Sequence, residues 1–204
     1  MSDVMLPRTL PLVLLVSALA MGAASWWAQG PLPGDVALTQ AAQAFFGARP
    51  AWAEHVTTSA TDPWMWGVML ACGLVAALVR NGATGVGIMI GFAVALAADR
   101  LLRLFLHVPR PTADLVAVAK PSQSSGLPST FALVYGATVG IVMLLALARR
   151  DGTGRILAVV MAALLLAGCA ARVTMGGHWP SQMVASVMLA MSLGLYVLRY
   201  GRDD

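Results

Sequence analysis

Charge is scarce in this chain: Asp, Glu, Lys and Arg make up 11% of its 204 residues, and lysine occurs once, as Lys120. Soluble domains carry about 25% charged residues, so an ordinary solvated surface is excluded. The arginines lie scattered between apolar runs and build no basic face, which argues against a nucleic-acid partner. Cysteine is limited to Cys72 and Cys169, both inside apolar runs, so they are expected as free thiols and no disulfide framework is implied. No His, Cys, Asp or Glu set has metal-ligand spacing, so neither a metal nor another cofactor is expected. What is abundant is apolar surface. Hydrophobic residues reach 59% and the mean hydropathy is +0.78, the composition of a multispanning membrane protein.

The apolar residues fall into runs close to the roughly 20 residues a spanning helix needs. The first run, Leu10 to Ala28, ends in Trp26-Trp27, which suits an interfacial belt. Small residues at 18–24 leave a cleaved signal segment as the alternative reading of that run. Pro31, Pro33 and Gly34 then break the chain, and Asp35 is placed to N-cap a short surface helix over Val36–Phe46. Glu54, His55 and Asp62 are expected in a solvated loop. Further spans are predicted at Pro63–Val79, Ala83–Ala98 (continuing through Asp99 and Arg103 to Leu106), Pro128–Ala148, Ile156–Met175 and Pro180–Leu198. Pro128 is compatible with a first helical turn. Asp99 and Arg103 are four apart, share a helical face and are expected to pair.

The predicted fold is therefore all-α: a single membrane domain over residues 1–204 with six transmembrane helices and a short interfacial helix in the first outer loop. Six spans put both termini on one side, together with Arg8, Arg80, the arginines of 149–155, Arg199 and Arg202. The positive-inside rule makes that side cytoplasmic. The other side also carries Arg49, Arg100, Arg103, Arg110, Lys120 and Arg172, a near balance that makes sense if several of these cations serve a site.

With this topology, three stretches converge on the outer side: Arg103 to Pro111, Leu127 to Phe131, and Ala171 to Gln182. Arg103, Arg110 and Arg172 offer forked, charge-assisted bonds to phosphate oxygens. Ser129, with the backbone N–H groups of Ser129, Thr130 and Phe131, lies at a helix N-terminus, where free donors and the dipole favour an anion. His178 sits among the arginines, and an imidazole there can attack phosphorus.

These residues resemble the motifs of the type 2 phosphatidic acid phosphatase superfamily, whose pattern is Lys-x6-Arg-Pro, Pro-Ser-Gly-His and Ser-Arg-x5-His-x3-Asp. The chain reads Arg103-x6-Arg110-Pro111, Pro128-Ser129-Thr130-Phe131 and Ala171-Arg172-x5-His178-x3-Gln182. The likeness covers about residues 63–198, with the first span and surface helix (9–62) matching more loosely. It implies that His178 is the nucleophile and that Arg103, Arg110, Ser129, Thr130 and Arg172 bind phosphate. It also implies two departures at catalytic positions. Phe131 stands where the family's acid histidine protonates the leaving oxygen, and Gln182 where an Asp orients the nucleophile. His107 is a candidate substitute acid.

The resemblance therefore implies a lipid phosphatase or phosphotransferase acting on a lipid phosphate or pyrophosphate, such as a polyprenyl pyrophosphate, through a His178 phosphoenzyme. A pyrophosphate is favoured because its leaving phosphate needs little protonation. The expected location is the bacterial inner membrane, with the site on the outer face. The alternative is a degenerate relative that binds, moves or presents a phosphorylated lipid, or assists a protein partner, without hydrolysis.

Overall fold

The computed structural model describes residues 6–149 and 151–200; Arg150, Arg202 and the outermost parts of the expected polar start and tail lie outside them. Among the described residues the chain is helical with no strand. The order is α1 (Leu10–Ala28), α2 (Asp35–Phe46), α3 (Ala51–Thr58), α4 (Trp64–Val79) and α5 (Gly82–Phe105), followed by a long polar loop. Next α6 (Thr130–Tyr135), a π-helical turn (Gly136–Gly140) and α7 (Ile141–Leu147) run on as one rod, and α8 (Gly152–Thr174) and α9 (Pro180–Tyr200) complete the chain.

Short capped turns fix the antiparallel order. Asn81 caps α5 through Thr84 N–H, and Asp151 caps α8 through Gly154 N–H at 2.6 Å. The α6–α7 rod is the hub: most of it is buried, whereas α1 is largely exposed and lies on the outside along α9. Around the rod pack α4, α5, α8 and α9. Ser192 ties α9 to α1 through the Pro11 carbonyl at 2.8 Å, and the Arg199 guanidinium donates to the carbonyls of Pro7 and Arg8.

The chain is a polytopic all-α membrane protein. Among the described residues, five apolar helices are long enough to cross a membrane. The remaining expected span is α4, whose 16 residues reach about 24 Å at the helical rise, short of the roughly 30 Å hydrocarbon core. Exposed Trp64 and Trp66 at its start suit the interface.

Three local expectations change. Glu54 and His55 sit on a helix, α3, because Pro50 precedes a run of residues free of further breakers and Ala53 buries against Ala171 and Met175. Pro128 lies before the helix; Ser129 is the N-cap of α6. Asp35 is inside α2, with Gly34 in the cap position. Its buried carboxylate instead accepts from Leu32 N–H (2.8 Å), Ser181 N–H (2.9 Å) and Ser181 Oγ (2.6 Å), joining the surface helix to the start of α9.

Helices α4 and α5 pack closely: a Cβ on Gly85 would lie 2.6 Å from the Gly73 carbonyl and 3.0 Å from Ala77 Cβ. Gly85→Val must push these helices apart. Overpacking of this kind costs about 1–3 kcal/mol, so the thermal midpoint in detergent is expected to fall by several degrees, while a substitution at open Gly67 leaves it unchanged.

Candidate active site

The long loop has little structure of its own and is held from outside. Gln43 on α2 donates to the Ala117 and Thr174 carbonyls (2.7 and 2.9 Å) and accepts from Ala117 N–H (3.1 Å). Gln40 reaches the Leu115 carbonyl, Arg49 the Ala119 carbonyl, and Ala119 N–H the Met175 carbonyl. The polar face of α2 thus splints the loop, while Leu38 and Phe45 point outward, 60% and 82% exposed, as a helix lying on a membrane surface requires.

Helix α8 ends in a left-handed turn at Gly176 (φ 64°), where an added Cβ would strike the Ala117 carbonyl. Gly177 N–H donates back to the Arg172 carbonyl at 2.9 Å. This sharp stop delivers His178 to the interior, where it is 2% exposed. His178 Nδ1 lies 2.8 Å from the Gly126 carbonyl. A carbonyl only accepts, so Nδ1 carries the proton and Nε2 keeps its lone pair. Among the described residues nothing hydrogen-bonds to Nε2.

The three arginines act on this imidazole, Arg172 and Arg110 more strongly than Arg103. Arg110 donates from Nε and Nη2 to the Ser124 carbonyl and Oγ (2.8 Å each) and from Nη1 to the Gly177 carbonyl (3.0 Å). Burial, then the neighbouring Arg172 and Arg103, lower its pKa to about 10, so it stays charged at neutral pH. Arg172 packs its guanidinium over Gly177, and its Nε is buried without a hydrogen-bond partner. A buried donor left unpaired costs about 1–3 kcal/mol, which an oxyanion reaching that nitrogen would remove.

Arg103 is differently placed. It bonds Asp99 through Nε at 3.0 Å, as expected, and also the carbonyls of Ser125 (3.2 Å) and Pro128 (2.7 Å) and Thr130 Oγ (3.1 Å). Thr130 Oγ in turn lies 3.1–3.2 Å from the Asp99 carboxylate. Arg103 and Thr130 therefore bond to each other and to Asp99. Ser129, fully buried, uses its Oγ to cap Ala132 N–H and gives its own N–H to Ser186 Oγ at 2.9 Å, so that N–H is not free for an anion.

The two departures behave differently. Phe131 is core: its ring stacks on Tyr135 at 4.3 Å and packs against Gly168 of α8. Gln182 is fully buried and makes no bond to His178; Nε2 donates to the Pro109 carbonyl (2.9 Å) and Oε1 accepts from Trp179 N–H (3.2 Å). His107 is exposed and, with Arg110, lines a cavity of about 340 Å³ in the long loop. A second, apolar groove of about 330 Å³ runs between α1, the end of α5 and α9, lined by Gly22, Trp26, Leu102, Leu106, Leu127 and Leu189 among others. It also reaches Pro128 and Ser186, beside Ser129. Sequence reasoning missed Gly126, Asp99's bond to Thr130, and Ser186. A backbone acceptor leaves no side-chain signal, and Ser186 lies unmarked within an apolar run.

A helical membrane protein with a buried histidine beside arginines at one end of its bundle is the class that these features define. The model of the PAP2 superfamily matches residues 8–204, and the chain belongs to that family. A solved structure from Bacillus subtilis, a transmembrane PAP2-type phosphatidylglycerolphosphate phosphatase, shares the fold: TM-score 0.73, 15% identity, covering 96% of this chain and 98% of that one. No curated protein matches the chain.

Burial, then Arg172 and Arg110, hold His178 well below the usual histidine value, against the smaller opposing effect of the Gly126 carbonyl. The sign follows. Below about pH 6.5 the unfolded chain binds a proton here that the folded chain refuses. Stability is therefore lost as pH falls from about 6.5 towards the lower folded value. Melting curves from pH 8 to pH 5 are expected to show a steeper decline for the parent than for His178→Asn.

Proposed function

We propose that this protein is a lipid phosphatase or phosphotransferase, acting on a lipid phosphate or pyrophosphate such as a polyprenyl pyrophosphate. It works at the outer face of the bacterial inner membrane, with both termini cytoplasmic. The observation that carries this reading is the imidazole of His178, neutral, fixed at Nδ1 and bare at Nε2, with Arg172 and Arg110 close enough to act on it. The groove beside Ser129 supports a lipid, because it offers apolar surface for a chain directly next to the polar centre.

In the first step the Nε2 lone pair bonds phosphorus, and the bond from phosphorus to the leaving oxygen breaks. The arginine donors offset charge on the phosphoryl oxygens. Nδ1 keeps its proton on the Gly126 carbonyl. Water then attacks phosphorus, the N–P bond breaks, and phosphate leaves with neutral histidine restored. A monoester releases an alkoxide that needs a proton, and a positioned acid is worth about 10²–10⁴-fold. Phe131 has none to give. A pyrophosphate releases a lipid monophosphate, a better leaving group that needs the proton less.

The same substitutions motivate a second reading, in which the chain binds or presents a phosphorylated lipid without cleaving it. Phosphate release by purified protein separates the two. Release from a polyprenyl pyrophosphate is expected to exceed that from a lipid monophosphate by at least about 100-fold and to vanish in His178→Ala. Binding that requires Arg110 and Arg172, with no release from either lipid, would establish the binder instead.

A further inference from the structure

We infer that Gln182 is a positioning residue: it braces the Gly126 carbonyl against His178 Nδ1, so that a main-chain acceptor orients the nucleophile where the family uses a carboxylate. This rests on the proposed role of His178.

Gln182 is the third residue of α9, and its Oε1 accepts the N–H of Trp179, just before the helix. That is the reach-back half of a capping box, and it fixes the side chain. Its Nε2 then donates to the Pro109 carbonyl. Both amide atoms lie 2.7 Å from where a Cβ on Gly126 would sit, so the amide lies directly against Gly126. Gly126 N–H donates to the Val108 carbonyl at 2.7 Å, and Ser125 Oγ holds Val108 N–H (3.1 Å) and the Leu127 carbonyl (2.6 Å). Segments 108–110 and 125–127 are thereby clamped together, with Gln182 as the third side. Held this way, the Gly126 carbonyl faces His178 Nδ1 at 2.8 Å.

Glutamine suits this place for a stated reason. The atom facing Pro109 must be a donor, and the atom facing Trp179 an acceptor; the glutamine amide supplies both without taking up or losing a proton. A carboxylate would set an anion against the Pro109 carbonyl. Gln182 is therefore a fitted part of the site, and restoring the family's aspartate is not expected to restore anything.

The test uses full-length protein in lipid nanodiscs with ¹⁵N-labelled histidine. His55→Gln with His107→Gln, both exposed positions, leaves His178 as the one histidine of the chain's three. The imidazole ¹⁵N shifts at pH 7 are expected to show a single tautomer, protonated at Nδ1. Gln182→Glu keeps the cap and loses the donor, so that tautomer is expected to lose dominance. In the otherwise unaltered chain, Gln182→Glu is expected to lower kcat for lipid pyrophosphate about tenfold, near the worth of one lost buried hydrogen bond, with KM within about twofold. Gln182→Asp is expected to stay at or below the parent. A parent His178 protonated at Nε2, or mixed, overturns the inference, as does a Gln182→Asp chain faster than the parent. If the parent releases no phosphate, the proposed function fails, and the tautomer in parent and Gln182→Glu still decides the role of Gln182.

Discussion

The bonds of Arg103 hold the site together. A guanidinium at the end of a membrane helix is costly unless its charge and its donors are matched. Here Asp99 matches the charge one turn back, and the Ser125 and Pro128 carbonyls and Thr130 Oγ take the remaining donors. The end of α5, the close of the long loop and the start of α6 become one unit. Gly126 lies inside it, so the carbonyl facing His178 is set at a fixed height above the bundle. The pairing also sets the charge balance. Arg103 and Asp99 cancel, leaving Arg110 and Arg172 near a neutral imidazole, a net of two positive charges. The family resemblance places the negative charge beside the histidine; in this chain it lies beside the first arginine.

Around this unit the elements divide the labour. Helix α2 splints the loop through Gln40 and Gln43 and presents Leu38 and Phe45 outward, so one short helix serves both the site and the membrane surface. Asp35 fastens the same helix to Ser181, next to Gln182. Polar centre and apolar groove meet across Leu127, Pro128 and Ser129, which gives the site two chemically distinct halves within a few residues of chain.

Much of the fold was legible because membrane helices announce themselves by length and hydropathy. The run Leu10–Ala28 is α1 to the residue, and the continuation of the third run past Asp99 to the Arg103 pair is α5. Helix α3 was not legible: its eight residues carry too little apolar periodicity to separate them from a polar loop. Asp35 was recognised as a residue that belongs near a helix start, but its partner lies 146 residues away, beyond any local pattern. For the site, the sequence placed Arg110, Arg172 and His178 together. The Asp99–Arg103 pair was legible from its spacing, but Thr130 and the Ser129 N–H were treated as open to an anion, whereas Asp99 and Ser186 engage them. Ser186 sits inside an apolar helix, where a lone polar residue reads as incidental, and the i,i+4 spacing that marked Asp99 for Arg103 says nothing of Thr130.

The contact between Gly126 and the Gln182 amide has a consequence for how this chain can vary. Every residue type supplies a carbonyl, so the acceptor for His178 has no letter of its own in the sequence. What is constrained is volume at position 126 and side-chain length at position 182, and the two are coupled: bulk gained at one must be surrendered at the other. A census of catalytic side chains counts one group missing here. A census of space finds the position filled.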